Sequence, residues 1–142
     1  MNGVGFDANA DCPCGSGSCF GDCCRPLLDE QRAARTALEL MRSRYTAYVL
    51  MRRDHLLRTW HPSTRPRLIQ MDAGSRWLGL RIVACEDGGE NDASGTVQFV
   101  ARYKVGGRAF RLAERSRFVR EAGAWLYLDG RESASGGRTD RS

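Results

Sequence analysis

Cysteine spacing is the feature of this sequence with the clearest chemical meaning. Five of the six cysteines lie within the fourteen residues DCPCGSGSCFGDCC, positions 11–24. Cys12 and Cys14 are one residue apart, and eight further residues precede the adjacent Cys23 and Cys24. A cluster of this density is typical of disulfide bonds, of a redox-active thiol group or of a metal site.

The spacing suits a metal site. Residues i and i+2 of an extended segment point the same way, so Cys12 and Cys14 can face one ion, with Pro13 stiffening the turn between them. Three glycines in the intervening segment permit the reversal that returns the second pair of cysteines. Four thiolates about 2.3 Å from a central ion make a closed, tetrahedral zinc site. The predicted cofactor is one structural zinc ion (Zn2+), and its predicted ligands are Cys12, Cys14, Cys23 and Cys24.

Composition favours reduced thiols. The chain of 142 residues is long enough for one domain with a core, and its 42% apolar and 27% charged residues are typical of a globular protein. It has no run of eighteen apolar residues, and its N-terminus lacks the basic and apolar regions of a secretory signal. We therefore expect a cytoplasmic protein. A redox alternative stays open, in which Cys23 and Cys24 form a vicinal disulfide or relay and Cys19 is a resolving thiol.

Several stretches resemble a known family. The sequence CPCGSG, followed by an aromatic residue and a terminal CC, resembles the SEC-C motif, a small zinc-binding element. The stretches MRSRYTAYVLMR, TWHPSTRP, WLGL, GTVQFVARY and ERSRFVRE resemble the YchJ family of bacterial proteins, in which a SEC-C motif precedes an NTF2-like domain. The resemblance implies zinc binding and an α+β cone, and it assigns no molecular function. Many SEC-C motifs carry lysines between the cysteine pairs, and this one carries none.

A helical pattern follows the cysteines. From Glu30 to about Arg53, apolar residues recur at helical spacing without glycine or proline, which predicts the longest helix of the chain. Asp54 is predicted to cap a second, shorter helix, DHLLRTWH, which Pro62 ends. These two helices would carry the side chains that face the sheet.

A period of two then replaces the helical period, with turns at DGGEND, GG and AG. Helices followed by an antiparallel meander predict an α+β fold, with the long helix laid across a curved sheet. The resemblance selects an NTF2-like cone preceded by a small zinc knuckle. The predicted strands are 77–86, 95–105, 108–121 and 124–129. The predicted parts of the chain are a SEC-C zinc-binding motif at 10–26, an NTF2-like α+β domain at 30–130 and a disordered tail at 131–142.

The third predicted strand suggests a pocket. Its alternation places Glu114 and Ser116 on the same face as Phe110 and Phe118, which is the face expected to be buried. A buried carboxylate needs a partner or must take up a proton, so polar groups should lie close to it. The candidate pocket residues are Arg44, Tyr45, Tyr48, His61, Glu114 and Ser116.

Two interpretations of this pocket remain open. In one, Glu114 and His61 form an acid/base pair in a ligand pocket at the mouth of the cone. In the other, Glu114 pairs with an arginine in an internal network that orders the helix on the sheet. No nucleophile elbow, phosphate loop or second histidine cluster supports an enzyme. The sequence further predicts that His55 is solvated and that Cys85 is buried and inert.

Charge suggests partners for the molecule. The first 24 residues hold three acids and no base, and the formal net charge of the chain is +5. A basic patch on the predicted sheet would offer RNA or an acidic protein a surface, although a solvated face explains the same residues. That patch consists of Arg102, Lys104, Arg111, Arg115 and Arg117.

The sequence as a whole predicts a non-catalytic binding or adaptor module without membrane association. Its expected partner is an unidentified protein, with Phe20 as the exposed apolar contact beside the zinc. The alternative is a small-molecule-binding or enzymatic cone that uses Glu114 and His61.

Overall fold

The structure is a computed structural model, and it describes residues 6–71 and 73–132. A 3-10 turn lies within the cysteine segment, a short helix follows it, two further helices come next, and four strands complete the described chain. The elements are a 3-10 turn at Phe20–Asp22, α1 (Arg25–Leu28), α2 (Ala37–Val49), α3 (Arg53–Arg58), β1 (Ser75–Asp87), β2 (Ser94–Val105), β3 (Arg108–Glu121) and β4 (Ala124–Glu132).

The strands form one antiparallel meander in the order β1-β2-β3-β4, so the predicted α+β architecture is confirmed. Gly106 and Gly107, with φ of 58° and 80°, make the two-residue turn between β2 and β3. Both positive φ values suit the type I′ turn that matches the twist of a hairpin. All four predicted strands are present within three residues at each end.

The predicted boundary of the tail falls inside a strand. β4 runs to Glu132, two residues past the predicted end of the domain at 130. Residues 133–142, which the sequence predicts to be disordered, lie outside the described residues.

The long helix begins later than predicted, at Ala37 instead of Glu30. Glu30 has a φ of 59°, which ends α1 and turns the chain away from a helical path. Thr36 caps α2, because its side chain accepts a 3.1 Å hydrogen bond from the Glu39 backbone N–H. The Glu39 carboxylate in turn accepts from the Arg35 N–H at 2.9 Å. The side chains of Thr36 and Glu39 therefore each satisfy a backbone N–H at the start of the helix. Side-chain caps, which the apolar spacing does not reveal, therefore decide where this helix starts.

The second predicted helix is shorter than expected and lacks the expected cap. α3 ends at Arg58, and Asp54 lies within its first turn, where its side chain pairs with Arg52 and Arg58. Beyond α3 the chain runs along β4: the His61 N–H donates to the Tyr127 carbonyl at 2.8 Å. This added strand-like contact replaces the last predicted turn of the helix.

The core lies between the helices and one face of the sheet, and it continues into the cysteine segment. Leu40, Leu56 and Phe118 are at most 2% exposed. Phe20 is 4% exposed and packs edge-to-face on Phe6, with ring centroids 5.4 Å apart. The prediction of Phe20 as an exposed apolar contact is therefore wrong, because its ring packs into the core that the cysteine segment shares with the helices and the sheet. No helix in the described part of the chain has the length and apolar character that a membrane crossing needs.

Candidate functional site

A reversed loop positions the four predicted metal ligands. The Cys12 N–H donates to the Ser18 carbonyl at 2.9 Å, and Asp11 and Cys19 form an antiparallel bridge across the loop. Within the loop, Gly15 has a φ of 78°, a conformation that favours glycine. The loop ends at the 3-10 turn Phe20–Asp22. This turn reverses the chain, so that Cys23 and Cys24 lie next to Cys12 and Cys14.

The sulfur atoms of the four cysteines all lie within 4.8 Å of one another. The sulfurs of Cys14 and Cys23 are 3.6 Å apart, and those of Cys23 and Cys24 are 4.0 Å apart. Ligands 2.3 Å from a tetrahedral zinc would be about 3.8 Å apart, so these separations suit such an ion. They are too long for a disulfide bond, and all six cysteines are free. The four cysteines therefore form a candidate metal site.

Cys19, the fifth cysteine of the segment, does not belong to this group. Its thiol donates to the Asp22 carboxylate at 3.3 Å instead. Cys85 is exposed, so the prediction that it is buried is wrong. It lies on the edge strand β1, just after a register shift between Ile82 and Ala84, and no other strand of the described residues covers that edge.

Side chains from outside the loop also contact the sulfur atoms. The Thr46 hydroxyl on α2 donates to the Cys24 sulfur at 3.3 Å, and the Arg42 guanidinium donates to the Cys14 carbonyl at 2.8 Å. The same Arg42 nitrogen lies 3.8 Å from the Cys14 sulfur. Such outer contacts orient the ligands and offset thiolate charge.

The thiols compete for ionisation. Hydrogen bonds from Cys12 and Cys24 hold the pKa of the Cys14 thiol far below its usual value. The reciprocal bonds raise the pKa of Cys24, and burial raises that of Cys23 to about 11. Four thiolates this close repel one another, so a bound dication is what would allow all of them to ionise together.

A second feature is a cavity of about 270 Å³ between α2 and the sheet, which we name the Arg44 cavity. Five of the six predicted pocket residues line it, and only His61 is missing. Six aromatic side chains make up much of its wall. The predicted residues are Arg44, Tyr45, Tyr48, Glu114 and Ser116, and the aromatic ones are Tyr45, Tyr48, Trp60, Trp77, Phe99 and Tyr127.

Arg44 is a buried cation in the wall of this cavity, with 5% exposure. Its Nη1 donates to the Leu56 carbonyl at 2.9 Å and to the Thr59 hydroxyl at 2.7 Å. The guanidinium carbon lies 4.4 Å from the ring centroid of Tyr127 and 5.0 Å from that of Trp60. Burial lowers the pKa of Arg44 to about 10, so it is still charged at neutral pH. The aromatic faces supply part of the stabilisation that a carboxylate would otherwise give.

Glu114 faces the same cavity, as the strand alternation predicts. It accepts a hydrogen bond from the Ser116 hydroxyl at 2.8 Å and one from the Tyr127 hydroxyl at 3.4 Å. Burial raises the pKa of the Glu114 carboxyl, and these hydroxyls offset part of the rise. Glu114 forms no ion pair with Arg44 or with any other described residue. The predicted arginine partner is therefore replaced by two hydroxyl donors.

His61 lies elsewhere. Its Nε2 is 2.8 Å from the Glu121 carboxylate, and its Nδ1 accepts from the Ser63 N–H at 3.0 Å. The acid/base pair of Glu114 and His61 does not exist, because the segment after α3 runs along β4 and carries this imidazole towards the β3–β4 turn.

His55 is the histidine that the sequence reasoning missed. It is 2% exposed, so the prediction of a solvated position is wrong. Its Nε2 lies 2.9 Å from the Ser43 hydroxyl, and its Nδ1 lies 3.1 Å from Arg58 Nη2. Since Ser43 donates to the Leu40 carbonyl, the consistent arrangement has Nε2–H donating to Ser43 and Nδ1 accepting from Arg58. Burial lowers the pKa of His55 to about 3, so the ring is neutral.

The basic face of the sheet is partly neutralised. Arg115 pairs with Glu86 at 2.7 Å, and Arg117 makes two bonds to the Asp129 carboxylate, at 2.7 and 2.6 Å. These exposed pairs reduce the net positive charge that the face presents to a partner.

Known proteins share both parts of this chain. A family model described as "YchJ, middle NTF2-like domain" matches residues 36–130. A UPF0225 protein from Chromobacterium violaceum is 52% identical over 126 residues, which cover 87% of this chain and 93% of that protein.

Two solved structures are also similar. The solution structure of a SEC-C motif containing protein from Rhodopseudomonas palustris has a TM-score of 0.76 at 37% identity, covering 86% of this chain and 98% of that one. The crystal structure of a SEC-C motif containing protein from Psychrobacter arcticus has a TM-score of 0.72 at 27% identity, covering 90% of this chain and 85% of that one. The predicted NTF2-like fold with an N-terminal knuckle is thereby confirmed. This chain belongs to the YchJ family.

Proposed function

We propose that Cys12, Cys14, Cys23 and Cys24 hold one structural zinc ion, and that the protein is a non-catalytic binding module of the bacterial cytoplasm. The observation that supports this proposal is the grouping of four sulfur atoms within 4.8 Å, at separations suited to a tetrahedral ion. Thiolate ligands favour zinc over the hard cations magnesium and calcium, which take oxygen.

The surroundings of the site favour a structural role over a catalytic one. A catalytic zinc keeps one position open for water or substrate, whereas four cysteines occupy all four positions of a tetrahedron. Three of the four cysteines are buried, and Cys23 is partly exposed. The Thr46 hydroxyl joins the site to α2, so the ion would tie the knuckle to the cone.

Metal content is the first prediction and tests the proposal directly. Protein purified without chelator or nickel affinity resin should contain about one zinc per chain by elemental analysis. Cys12→Ser and Cys24→Ser should each lower that content severalfold, because each removes a thiolate ligand. The matched controls are Cys19→Ser and Cys85→Ser, which should retain the full content since neither sulfur joins the cluster. Absence of metal together with oxidised thiols would replace the zinc site with a redox device.

A protein partner is part of this proposal, and the contact surface we propose for it is the exposed part of the knuckle. Phe20 is buried, whereas residues 15–18 are exposed at the tip of the loop. RNA is the weaker candidate partner, because Arg115 and Arg117 of the predicted patch are ion-paired. A salt-dependent affinity would distinguish RNA from a protein partner.

The second candidate function is the binding of a small molecule in the cone. The Arg44 cavity favours it, since a buried cation, a carboxyl group and six aromatic rings surround a space of about 270 Å³. An enzyme that uses Glu114 and His61 together is not supported, because the two side chains lie in different parts of the molecule.

A further inference from the structure

We infer that the Arg44 cavity binds a small aromatic molecule that carries one carboxylate group. This inference rests on the second candidate function and names the class of ligand. It depends on three features of the described residues: hydrogen-bond donors without acceptors, a cation without a counter-ion, and a small cavity lined by aromatic side chains.

The counter-ion of Arg44 is missing from the described protein. Its Nη1 is used by the Leu56 carbonyl and the Thr59 hydroxyl, while Nε and Nη2 have no hydrogen-bond acceptor among the described residues. No carboxylate of those residues forms an ion pair with it either, and Glu114 acts on it only at longer range. A buried guanidinium with free donors matches a carboxylate, which can accept two parallel N–H bonds.

A second donor lies in the same wall. The indole Nε1 of Trp60 has no hydrogen-bond partner, and among the described residues it is the one such side-chain atom that is itself fully shielded from solvent. Leaving a buried N–H unpaired is costly, so such a group indicates a missing acceptor. Trp60 also stacks on Arg44, with the guanidinium carbon 5.0 Å from its ring centroid, and both residues line the cavity. An acceptor-rich anionic group held by Arg44 would lie beside this ring, where it is the candidate for the acceptor that Nε1 lacks.

The size and the walls of the cavity limit the rest of the ligand. A volume of about 270 Å³ is just below the usual range of ligand pockets, which is about 300 to 1,000 Å³. It holds one ring with its carboxylate more readily than a nucleotide. The rings of Tyr45 and Tyr48 already pack on the ring of Trp77, with centroids 5.6 and 5.9 Å from that of Trp77. These three rings would offer edges and faces to a further ring.

Glu114 makes the binding depend on protonation. The charged groups and phenols near it are Arg44, Tyr48, Tyr127 and Asp129, and Glu132 is its cross-strand neighbour on β4. A ligand carboxylate beside an ionised Glu114 would be repelled, so we expect Glu114 to take up a proton when the ligand binds. Burial already raises the pKa of this carboxyl, which makes the uptake easier. Affinity should therefore increase as the pH falls from 8 to 6, and Glu114→Gln, which resembles the protonated form, should bind more tightly.

The test is calorimetric titration of the zinc-containing full chain with benzoate, benzamide and benzylamine, which share a ring and differ in charge. Benzoate should bind at least about tenfold more tightly than the other two, since a charge-assisted hydrogen bond contributes more than a neutral one. Arg44→Gln should weaken benzoate binding by about tenfold or more. Trp60→Phe should weaken it severalfold while keeping the aromatic face.

The controls separate a binding effect from a folding effect. Trp125→Phe removes an indole N–H that donates to the Arg35 carbonyl outside this cavity, so it should leave benzoate affinity unchanged. If Arg44→Gln does not fold, the Trp60→Phe and Glu114→Gln titrations still decide whether the cavity prefers a carboxylate.

Two results would overturn the inference in distinguishable ways. Benzamide or benzylamine binding as tightly as benzoate, or weaker benzoate binding by Glu114→Gln, would reject the carboxylate while leaving the cavity as a ligand site. No binding of any of the three compounds would reject the cavity as a site for small aromatic ligands, and the second candidate function with it.

Discussion

Removal from water determines the charge of the buried polar side chains in this protein. Arg44 keeps its charge, with a pKa of about 10, because its ordinary pKa is far above neutral and aromatic faces and carbonyls surround it. His55 becomes neutral at a similar depth because its ordinary pKa is close to neutral, and the nearby guanidinium of Arg58 repels a second positive charge. Glu114 shows the same effect with opposite sign, since burial favours its protonated form. The charge of each of these side chains therefore depends on its burial as well as on its residue type.

The second prediction concerns His55 and pH. The pKa of His55 is about 3 in the folded protein, compared with about 6.5 in an unfolded chain. The unfolded state therefore binds an extra proton between these values, and the free energy of unfolding should fall as the pH falls below 6.5. Between pH 7 and pH 5 this one group should account for a loss of about 2 kcal/mol.

Urea unfolding at pH 7 and pH 5 measures this loss, with His55→Gln as the comparison. The drop in unfolding free energy should be smaller in the variant, because glutamine does not titrate. An equal drop in both proteins would mean that His55 is not neutral in the fold. His61→Gln is a suitable control, since that imidazole lies beside Glu121 and not in the core.

At the scale of elements, α2 is the part of the fold that serves both candidate sites. Arg42 and Thr46 contact the cysteine cluster, and Arg44, Tyr45 and Tyr48 line the cavity. The helix spans only 13 residues, and eight of them are buried. Nearly every direction around its axis is therefore occupied, and a change in its start or register would disturb the metal site and the cavity together.

The third prediction concerns the start of this helix. Thr36→Ala removes the side chain that accepts from the Glu39 N–H, so it should lower the free energy of unfolding by about 1 kcal/mol. Thr36→Ser keeps the hydroxyl and should stay within a few tenths of a kcal/mol of the original. Chemical denaturation of both variants measures the difference. Equal losses in the two would assign the effect to the lost methyl group and not to the cap.

At the scale of the whole molecule, the knuckle and the cone share one hydrophobic core. Cys12, Cys14, Phe20 and Cys24 belong to the same buried cluster as Leu40 and Phe118. The knuckle also closes against β1, where a Cβ at Gly15 would lie 3.4 Å from the Leu80 carbonyl. A change in the knuckle should therefore propagate into the cone.

The fourth prediction follows from this shared core. Removing the proposed zinc ion with a chelator should lower the melting temperature of the whole chain by about 10 °C or more, because zinc contributes much of the folding free energy of such sites. Amide exchange should quicken in α2 as well as in residues 10–26. Faster exchange confined to the knuckle, with an unchanged melting temperature, would show that the two parts are independent. The Cys85→Ser protein is the control for thiol chemistry away from the cluster.

The sequence by itself determined the features that depend on near neighbours in the chain. The spacing of Cys12, Cys14, Cys23 and Cys24 predicted a cluster that the fold brings together, since a short glycine-containing loop has few ways to close. The paired residues at 106–107 predicted a hairpin turn, and the alternation of β3 predicted that Glu114 faces inward. Each of these depends on geometry that repeats every two residues or closes within a few.

Only the tertiary structure decided which side chains leave water and which ones meet. The sequence placed His61 in the pocket and His55 in solvent, whereas the fold puts His61 beside Glu121 and buries His55 against Ser43. His61 contacts Glu121, sixty residues away in the sequence. The indole N–H of Trp125 donates to the carbonyl of Arg35, which lies ninety residues away and just before α2. Such contacts form because the whole sheet folds against the helices. The local period of the chain carries no information about which distant segment will cover a given side chain.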